Sequence, residues 1–271
     1  MPIQGYKRYF KLFQNIQNPT VYLFNKIKPS EKALSLITKP NAIKFQVSKN
    51  LLLIFKEIFM SDVYGIEQLC KELPENSTVL DIGMNVGFFD ILLLSKITVF
   101  KIYAYEPVPL NVATFQKTIN NNKLLQKNIV LHQMAVTGKH QDRLDLYLED
   151  VNKNSVDASV LSNFDVSHAH KISVPCITFS DIIFQNNLKQ IDFLKLDCEG
   201  SEFDIIYNTD QALIRQINKM IIEVHNLDNN TNNISFMNNY IQSIGYTTKY
   251  VRINHRCHVL TAVKNQQLSC A

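Results

Sequence analysis

The sequence predicts an α/β fold in which a mostly parallel β-sheet carries helices on both faces. From residue 78 onward, short apolar segments alternate with segments of helical length, which is the pattern of repeated strand–helix–strand units. The chain has 271 residues, of which 46% are hydrophobic and 19% charged, so it can bury a sizeable core in one or two domains. This composition excludes wholesale disorder, a collagen helix and a coiled coil.

The elements of this fold are expected in a definite order along the chain. Five short apolar runs predict the core strands: 78–83, 101–106, 128–136, 191–197 and 219–225. Three segments predict helices, the second because it begins with proline and the third because it ends in glycine: 86–95, 109–121 and 234–245. Alternating apolar and polar residues predict antiparallel additions at 142–150 and 171–179, and a closing hairpin at 246–254 and 257–264.

Residues 1–45 are predicted to form an N-terminal helical extension, and residues 46–271 the main domain. Prolines interrupt the extension and favour short helices, and a longer helix or a strand–helix unit is expected over 46–75. In the stretch 6–13, aromatic residues alternate with lysine and arginine, a pattern that could lie on an anionic membrane surface. Because its apolar face is short, we expect it to pack on the domain instead, as a lid or a homodimer contact.

Charge, hydropathy and cysteine content bear on partners and location. The formal net charge of +4 is too small to indicate a nucleic acid partner by itself. No apolar run approaches the ~18 residues of a transmembrane helix, and the N-terminus lacks the continuous apolar segment of a signal peptide. The five cysteines form no CxxC pair and their odd number fits reduced thiols, so we expect a cytoplasmic protein.

The turn after the first core strand is the first candidate for ligand binding, because ligands of such sheets bind beyond the carboxyl ends of the strands. It reads Asp81-Ile82-Gly83-Met84-Asn85-Val86-Gly87 and contains two of the seven glycines. Glycine permits a sharp turn and the close approach of a ligand to backbone N–H groups, and asparagine tolerates a left-handed backbone. The aspartate can accept hydrogen bonds from a cationic amine. Together these residues favour a ligand-binding turn over a plain connection.

The ligand that this turn favours is a nucleoside without a pyrophosphate. A dinucleotide site needs G-x-G-x-x-G, but Asn85 replaces the second glycine, and no Gly-Lys-Ser/Thr follows to make a P-loop. Glu106 closes the next strand, 19 residues after Gly87, where a carboxylate can accept both hydroxyls of a ribose. S-Adenosylmethionine is such a nucleoside, with its amino acid portion at the glycine turn and its ribose at Glu106.

Three segments resemble the FkbM family of methyltransferases: VLDIGMNVGFFD, YAYEPVPLN and DFLKLDCEGSEFDII. The similarity covers about residues 60–225, and the third segment is the most specific to the family. The resemblance implies a Rossmann-like class I methyltransferase with a seven-stranded sheet, which takes S-adenosylmethionine and releases S-adenosylhomocysteine. By this resemblance the cofactor-binding residues are Asp81, Gly83, Met84, Asn85, Gly87, Phe88, Glu106, Pro107, Ala135 and Asp197.

The catalytic candidates follow the fourth and fifth core strands, where the methyl group is expected to point. Methyl transfer to a hydroxyl requires alignment of the acceptor and removal of its proton. Asp197, Glu199 and His225 are the titratable groups expected there, and Asp197 is the first choice, unless it binds the amine of the cofactor. Purely structural roles are alternatives of equal weight. Lys195 could form a buried network with the two acids, and His225 could pair with Glu223.

We expect no metal at this site. Asp197, Glu199 and His225 could bind Mg²⁺ or Mn²⁺, and His255-Arg256-Cys257-His258 holds further ligand types, but the latter lies in a hairpin turn without the spacing of a zinc site. The acidic loop 197–200 would repel phosphates, so we also expect no nucleic acid partner.

The expected acceptor is a small molecule or a glycan, bound by the extension and by the segment 150–172. By resemblance, the reaction is O-methylation of a hydroxyl on a sugar, a glycan or a secondary metabolite. Two alternatives stay open: N-methylation of an amide or amine, for example on a peptide, and a nucleoside-binding module without catalysis.

Overall fold

The computed structural model describes residues 3–97, 100–148, 150, 153–154, 170–254 and 256–265, and every structural statement concerns these residues. The helices are α1 (Lys7–Asn15), α2 (Pro19–Ile27), α3 (Leu52–Phe55), α4 (Ile66–Glu72), α5 (Phe88–Lys96), α6 (Pro109–Asn120), α7 (Lys123–Asn128), α8 (Phe179–Gln185), α9 (Glu202–Asn208), α10 (Gln211–Ile214) and α11 (Ile234–Ser243). The strands are β1 (Leu34–Ile37), β2 (Lys44–Val47), β3 (Ser77–Ile82), β4 (Phe100–Tyr105), β5 (Ile129–His132), β6 (Ala135–Thr137), β7 (Arg143–Leu148), β8 (His170–Thr178), β9 (Ile191–Leu196), β10 (Ile217–His225), β11 (Tyr246–Arg252) and β12 (Cys257–Lys264). Most of the segment 150–172, and His255, lie outside the described residues.

A seven-stranded sheet forms the centre of the protein, as predicted. Its strand order is β5-β4-β3-β9-β10-β12-β11. The five strands from β5 to β10 are parallel, and β12 is antiparallel to both of its neighbours, so the predicted closing hairpin is confirmed. The chain runs outward in opposite directions from β3 and from β9, and a crevice for a ligand therefore opens at the carboxyl ends of these two strands.

Apolar side chains cover both faces of this sheet. On one face Val79 and Phe193 pack in a core with α5 and the N-terminal helices, and on the other face Leu80 and Leu194 pack in a core with α8, α9 and α11. Successive side chains of a strand point to opposite faces, so consecutive apolar residues serve both cores. The predicted cover of helices on both faces is confirmed.

The prediction of one strand over 128–136 is wrong. The chain leaves the central sheet after β5, and β6 pairs in parallel with β8 in a separate three-stranded sheet of order β6-β8-β7. The polar residues His132 and Gln133 interrupt the run where β5 ends, but two polar residues do not by themselves indicate that the chain changes sheets. The antiparallel pairing of β7 with β8 confirms the additions predicted at 142–150 and 171–179.

The N-terminal segment is only partly helical. The predicted short helices are α1 and α2, but β1 and β2 form a hairpin. Strand β2 crosses the domain boundary predicted after residue 45. That boundary stays a prediction. Of the two alternatives expected over 46–75, the structure is nearer to the strand–helix unit, because β2 is followed by helical segments and not by one long helix. Residues 49–72 form a 3₁₀ turn at 49–51, α3, a π-helical turn at 56–60, and α4. None of the described helices has the length and the apolar character needed to span a bilayer.

Candidate active site

Two adjoining cavities open at the carboxyl ends of β3 and β9. Their volumes, which include space open to solvent, are about 610 Å³ and about 550 Å³. Four residues line both cavities: Gly83, Asn85, Asp197 and Glu199. Three carboxyl groups line the first cavity, those of Glu106, Asp197 and Glu199, and among its described lining residues none is Lys, Arg or His. The first cavity is therefore suited to a cationic ligand.

The turn between β3 and α5 has a left-handed backbone at three residues: Gly83 (φ +78°), Asn85 (φ +55°) and Gly87 (φ +72°). A Cβ on Gly83 would lie 1.7 Å from the carbonyl oxygen of Asp197. A Cβ on Gly87 would lie 2.2 Å from the ring of Phe115 in α6. Glycine is thus required at both positions by close packing as well as by backbone conformation.

Glu106, at the end of β4, fixes this turn through its carboxylate. The backbone N–H of Asn85 donates to Oε2 at 2.9 Å, and that of Val108 donates to Oε1 at 3.0 Å. Burial raises the pKa of Glu106 to about 7, against the opposing effect of these two hydrogen bonds. A carboxylate oxygen can accept more than one hydrogen bond, so Glu106 can also bind the hydroxyls of a ligand in the first cavity.

The opposite wall of the first cavity is apolar. Met134, Ala135 and Val136 line it where the chain passes from β5 to β6, and Leu144 and Leu146 of β7 complete it. A wall of this kind can hold a flat aromatic ring.

Asp81 is buried at the end of β3 and lines neither cavity. Lys195 Nζ donates to Asp81 Oδ1 at 3.0 Å and to the carbonyl oxygen of Gly83 at 2.9 Å. Burial alone would lower the pKa of Lys195, but the carboxylates of Asp81 and Asp197 outweigh burial and raise it. The cationic amine that meets Asp81 is therefore Lys195, and contact of Asp81 with a cofactor stays a prediction.

Asp90, in the first turn of α5, is a second buried acid beside Asp81. Burial raises the pKa of Asp90 well above its ordinary value, and the charge of Asp81 raises it further. Both effects favour the protonated form of Asp90, which lessens the repulsion between the two buried carboxyl groups.

The loop after β9 presents Asp197 and Glu199 to both cavities. Glu199 has a left-handed backbone with φ +46°, a conformation that costs a residue other than glycine about 1–2 kcal/mol. Strain of this kind concentrates at functional sites. Glu202 Oε2 accepts the backbone N–H of Gly200 at 2.7 Å and so holds the loop at the start of α9.

His225, at the end of β10, lies between two glutamates. Its Nδ1 is 3.1 Å from Glu202 Oε1, and its Nε2 is 3.2 Å from Glu199 Oε2. Burial alone would lower the pKa of His225, but hydrogen bonds with Cys257 and Glu202 and the charge of Glu199 raise it well above its ordinary value. His225 is thus an imidazolium that orients the two carboxyl groups, and it lines neither cavity.

A chain of hydrogen bonds runs from β12 to Asp197 through Tyr64. Cys257 Sγ donates to Glu223 Oε1 at 3.0 Å, and Tyr64 Oη lies 3.1 Å from Glu223 Oε2 and 2.8 Å from Asp197 Oδ2. A tyrosine hydroxyl has one proton to donate. The Tyr64 proton is therefore shared between the carboxyl groups of Asp197 and Glu223. Burial and the charge of Asp197 raise the pKa of Glu223 to about 7, and the hydrogen bond from Tyr64 acts in the opposite sense.

The second cavity combines acidic and apolar walls. Its lining includes the acids Glu57, Asp197, Glu199 and Glu223, and the apolar residues Ile54, Ile58, Val86, Phe88 and Phe89. Glu57 comes from the π-helical turn, and burial raises its pKa, with a further contribution from Asp197. Single π-helical turns within helices are frequent at functional sites. The segment before β3 therefore supplies one side of this cavity.

Most of the residues predicted from the sequence come together at this edge of the sheet. Seven of them line the first cavity: Gly83, Asn85, Glu106, Pro107, Ala135, Asp197 and Glu199. Met84 and Phe88 line the second cavity. Asp81, Gly87 and His225 line neither, and the functional roles of all these residues stay predictions.

Sequence reasoning missed Glu57, Tyr64 and Cys257. Glu57 was visible as the only acid in the apolar run 51–60, which is a weak signal for a polar site. Tyr64 meets Asp197 across 133 positions of sequence, and Cys257 meets this network because it lies opposite His225 in the antiparallel ladder. No local sequence pattern predicts either of these contacts.

Two overlapping groups of side chains have the types and spacing of metal ligands. They are Asp197, Glu199 and His225, and Glu223, His225 and Cys257, each with ligand atoms within 4.8 Å of one another. Both groups depend on His225, whose two ring nitrogens face carboxylates of the protein itself. The expectation of no metal stays a prediction.

Comparison with known proteins gives a family match over residues 81–248, to the model described as the methyltransferase FkbM domain. The chain is 27% identical to Methyltransferase 1 of Beauveria bassiana over 195 residues, which cover 63% of this chain and 72% of that protein. It is 24% identical to the 31-O-demethyl-FK506 methyltransferase FkbM of Streptomyces tacrolimicus over 212 residues, or 65% and 75% of the two chains. It is 21% identical to the hexuronic acid methyltransferase AglP of Haloferax volcanii over 160 residues, which cover 59% of this chain and 61% of that protein.

Proposed function

The chain belongs to the FkbM family of S-adenosylmethionine-dependent methyltransferases, and from this we propose that it methylates a hydroxyl of a sugar, a glycan or a secondary metabolite. One observation carries the proposal: two adjoining cavities share Asp197 and Glu199, so that a cofactor and an acceptor can meet at these carboxyl groups. The cytoplasmic location stays a prediction.

The first cavity fits S-adenosylmethionine by the chemistry of its side chains. This cofactor supplies a methyl group activated by a positively charged sulfonium and carries a second positive charge on its amine. Three carboxyl groups and no basic side chain among the described lining residues suit such a cation, whereas the pyrophosphate of a dinucleotide would be repelled. In this arrangement Glu106 would hold the ribose hydroxyls, and the wall at Met134 would hold the adenine.

Glu199 is the residue that we assign to remove the proton of the acceptor hydroxyl. It lines both cavities, and its Oε2 lies 3.2 Å from His225 Nε2. Burial raises the pKa of Glu199, and the positive charge of His225 opposes this effect and favours the carboxylate that can accept a proton. Asp197 already accepts a hydrogen bond from Tyr64 and lies 3.7 Å from Lys195 Nζ, so its charge is stabilised and it suits the cofactor's amine. As the acceptor oxygen gains the methyl group, its proton would pass to Glu199.

The second cavity supports an acceptor that carries hydroxyl groups. Its carboxyl groups can accept hydrogen bonds from several hydroxyls, and Phe88 and Phe89 offer apolar contact. The names of two relatives agree with this class, since one specifies an O-demethyl substrate and the other a hexuronic acid. The same acid-rich lining also favours an amine, so N-methylation is the second candidate.

A panel of acceptors tests the proposal. Purified protein is incubated with S-adenosylmethionine and with sugars, hydroxylated metabolites, amines or peptides, and mass spectrometry records the gain of one methyl group. We expect the gain on a hydroxyl compound, and a turnover lower by ~10²–10⁴-fold in Glu199→Gln with little change in cofactor affinity. Exposed Glu75→Gln is the matched control.

Methylation of amines alone would support the second candidate. Glu199→Gln with the turnover of Glu75→Gln would reject Glu199 as the base, and Asp197→Asn, assayed in parallel, would then identify whether the neighbouring carboxylate removes the proton.

A further inference from the structure

Positive charge is concentrated in the first 56 residues of the chain. These residues include ten lysines and arginines and a single acid, Glu31, whereas residues 57–271 include 18 basic and 23 acidic residues. The small net charge of the whole chain therefore conceals a strongly basic segment attached to a mildly acidic domain. A charge asymmetry of this kind is typical of proteins that bind an anionic surface.

The same segment turns large apolar side chains toward solvent. Six of the eleven large hydrophobic side chains exposed among the described residues belong to it: Tyr6, Phe10, Phe13, Phe24, Ile27 and Leu53. Phe10 is 65% exposed, Phe24 70% and Ile27 82%. Helix α1 packs on the domain through Leu12 and Asn15, so its exposed aromatic residues contribute nothing to that packing. Tyr6 and Phe10 also contact each other, with ring centroids 6.3 Å apart. Several large apolar side chains exposed in one segment indicate an interaction surface.

A basic cleft lies between α1, α2 and the turn at 49–51. Its volume is about 910 Å³, and four cations line it: Arg8, Lys26, Lys49 and Lys56. None of its described lining residues is acidic, and Lys49 meets Glu31 in an exposed ion pair at 2.7 Å. Lys26 stands over the ring of Tyr9, 5.1 Å from its centroid. These donors match the phosphate of a lipid headgroup.

We propose that this basic aromatic face, formed by α1, α2 and the cleft between them, binds the surface of a membrane that contains anionic phospholipids. Apolar side chains would enter the boundary of the acyl chains while the cations meet the headgroup phosphates. Ile27 and Leu53 are aliphatic, which favours lipid over a single-stranded nucleic acid whose bases stack on aromatic rings.

The face adjoins the second cavity. The turn at 52–60 carries Leu52 and Lys56 to the basic cleft, and Ile54, Glu57 and Ile58 to the second cavity. This helical segment therefore contributes side chains both to the basic cleft and to the second cavity.

Co-sedimentation with vesicles tests this inference on the full chain. Vesicles of phosphatidylcholine alone, and of phosphatidylcholine with phosphatidylserine, are mixed with the wild type, with Phe10→Ser/Phe24→Ser and with Lys26→Glu/Lys49→Glu. Phe184→Ser is the matched control, because Phe184 is 66% exposed on α8, outside the face. Retained binding of S-adenosylhomocysteine verifies that each variant is folded.

We expect the wild type and Phe184→Ser to sediment with the vesicles that contain phosphatidylserine, less so as salt increases. Both double variants should lose at least tenfold in partitioning. Wild-type protein that stays in the supernatant with these vesicles would overturn the proposal, as would a Phe10→Ser/Phe24→Ser variant that partitions like the control. Binding to a single-stranded oligonucleotide without binding to vesicles would overturn it in favour of nucleic acid.

Discussion

Gly83 packs directly against Asp197, because the backbone carbonyl oxygen of Asp197 lies 1.7 Å from the position that a Cβ on Gly83 would take. This contact joins the turn after β3 to the loop after β9. The backbone N–H of Asp197 also donates to the carbonyl oxygen of Ile82 at 3.0 Å, which extends the pairing of the two strands to their ends. The spacing of these two backbones sets the floor of both cavities.

Gly83→Ala should destabilise the fold and abolish cofactor binding together, because the two backbones must separate to admit the methyl group. Relative to Gly245→Ala, we expect a further loss of about 1–3 kcal/mol in the free energy of unfolding, measured with denaturant. Gly245 has φ +99° and no atom near its Cβ position, so this control isolates the clash from the backbone strain. Equal unfolding free energies for the two variants would contradict the packing argument.

Tyr64→Phe should weaken the link between Asp197 and Glu223. Loss of the hydroxyl removes a hydrogen bond to these two half-buried carboxyl groups, which costs about 1–3 kcal/mol in unfolding free energy. Tyr22→Phe is the matched control, because Tyr22 and Tyr64 are both 7% exposed and Tyr22 lies outside the two cavities. Similar losses in both variants would show that the hydroxyl of Tyr64 contributes nothing specific.

His225 should stay protonated throughout the range from pH 5 to pH 8, where an ordinary imidazole with a pKa near ~6.5 loses its proton. The raised pKa follows from its contacts with Cys257, Glu202 and Glu199. Glu202→Gln removes one of the charges, and we expect it to lower the pKa of His225 by about 1–3 units. Nuclear magnetic resonance of the imidazole measures the protonation of His225 in the wild type and in Glu202→Gln. An ordinary titration of His225 in the wild type would be inconsistent with the imidazolium assignment.

Glu106 should make the protein without cofactor less stable as the pH rises. Its pKa is about 7 in the folded state and near 4.5 in the unfolded chain, so between these values the folded state holds the extra proton. Stability therefore falls as the pH rises through this window, by at most about 3 kcal/mol.

Glu106→Gln should flatten this part of the stability curve, since the amide has no proton to lose. Denaturation of the wild type, Glu106→Gln and the exposed control Glu75→Gln at pH 5 and pH 8 measures the difference in slope. A wild-type slope equal to that of Glu106→Gln would exclude the raised pKa.

The sequence predicts the central sheet well because its strands are short apolar runs that end at polar or glycine residues. This pattern places Asp81, Gly83 and Glu106 at the carboxyl ends of their strands. Because the strands are parallel, these ends lie side by side at one edge of the sheet. The split of 128–136 between two sheets was not predicted. Polar residues at His132 and Gln133 mark the break, but the apolar residues on either side of it do not indicate which sheet each part joins.

The contacts that decide the chemistry arise from tertiary packing. The sequence offers His225 as a base, but its place between Glu199 and Glu202 makes it an imidazolium, and only the fold brings these groups within about 3 Å. Tyr64 lies in the short turn 61–65 before α4, and nothing in this stretch of sequence indicates that it will face Asp197.

Calorimetric titration with S-adenosylhomocysteine tests the central claim, that the first cavity binds this nucleoside through Glu106. We expect binding to the wild type and to the exposed control Glu75→Ala, and an affinity lower by about 1–3 kcal/mol in a folded Glu106→Ala, because hydrogen bonds to a charged group are lost. No binding to the wild type, or an unchanged affinity in Glu106→Ala, would contradict it.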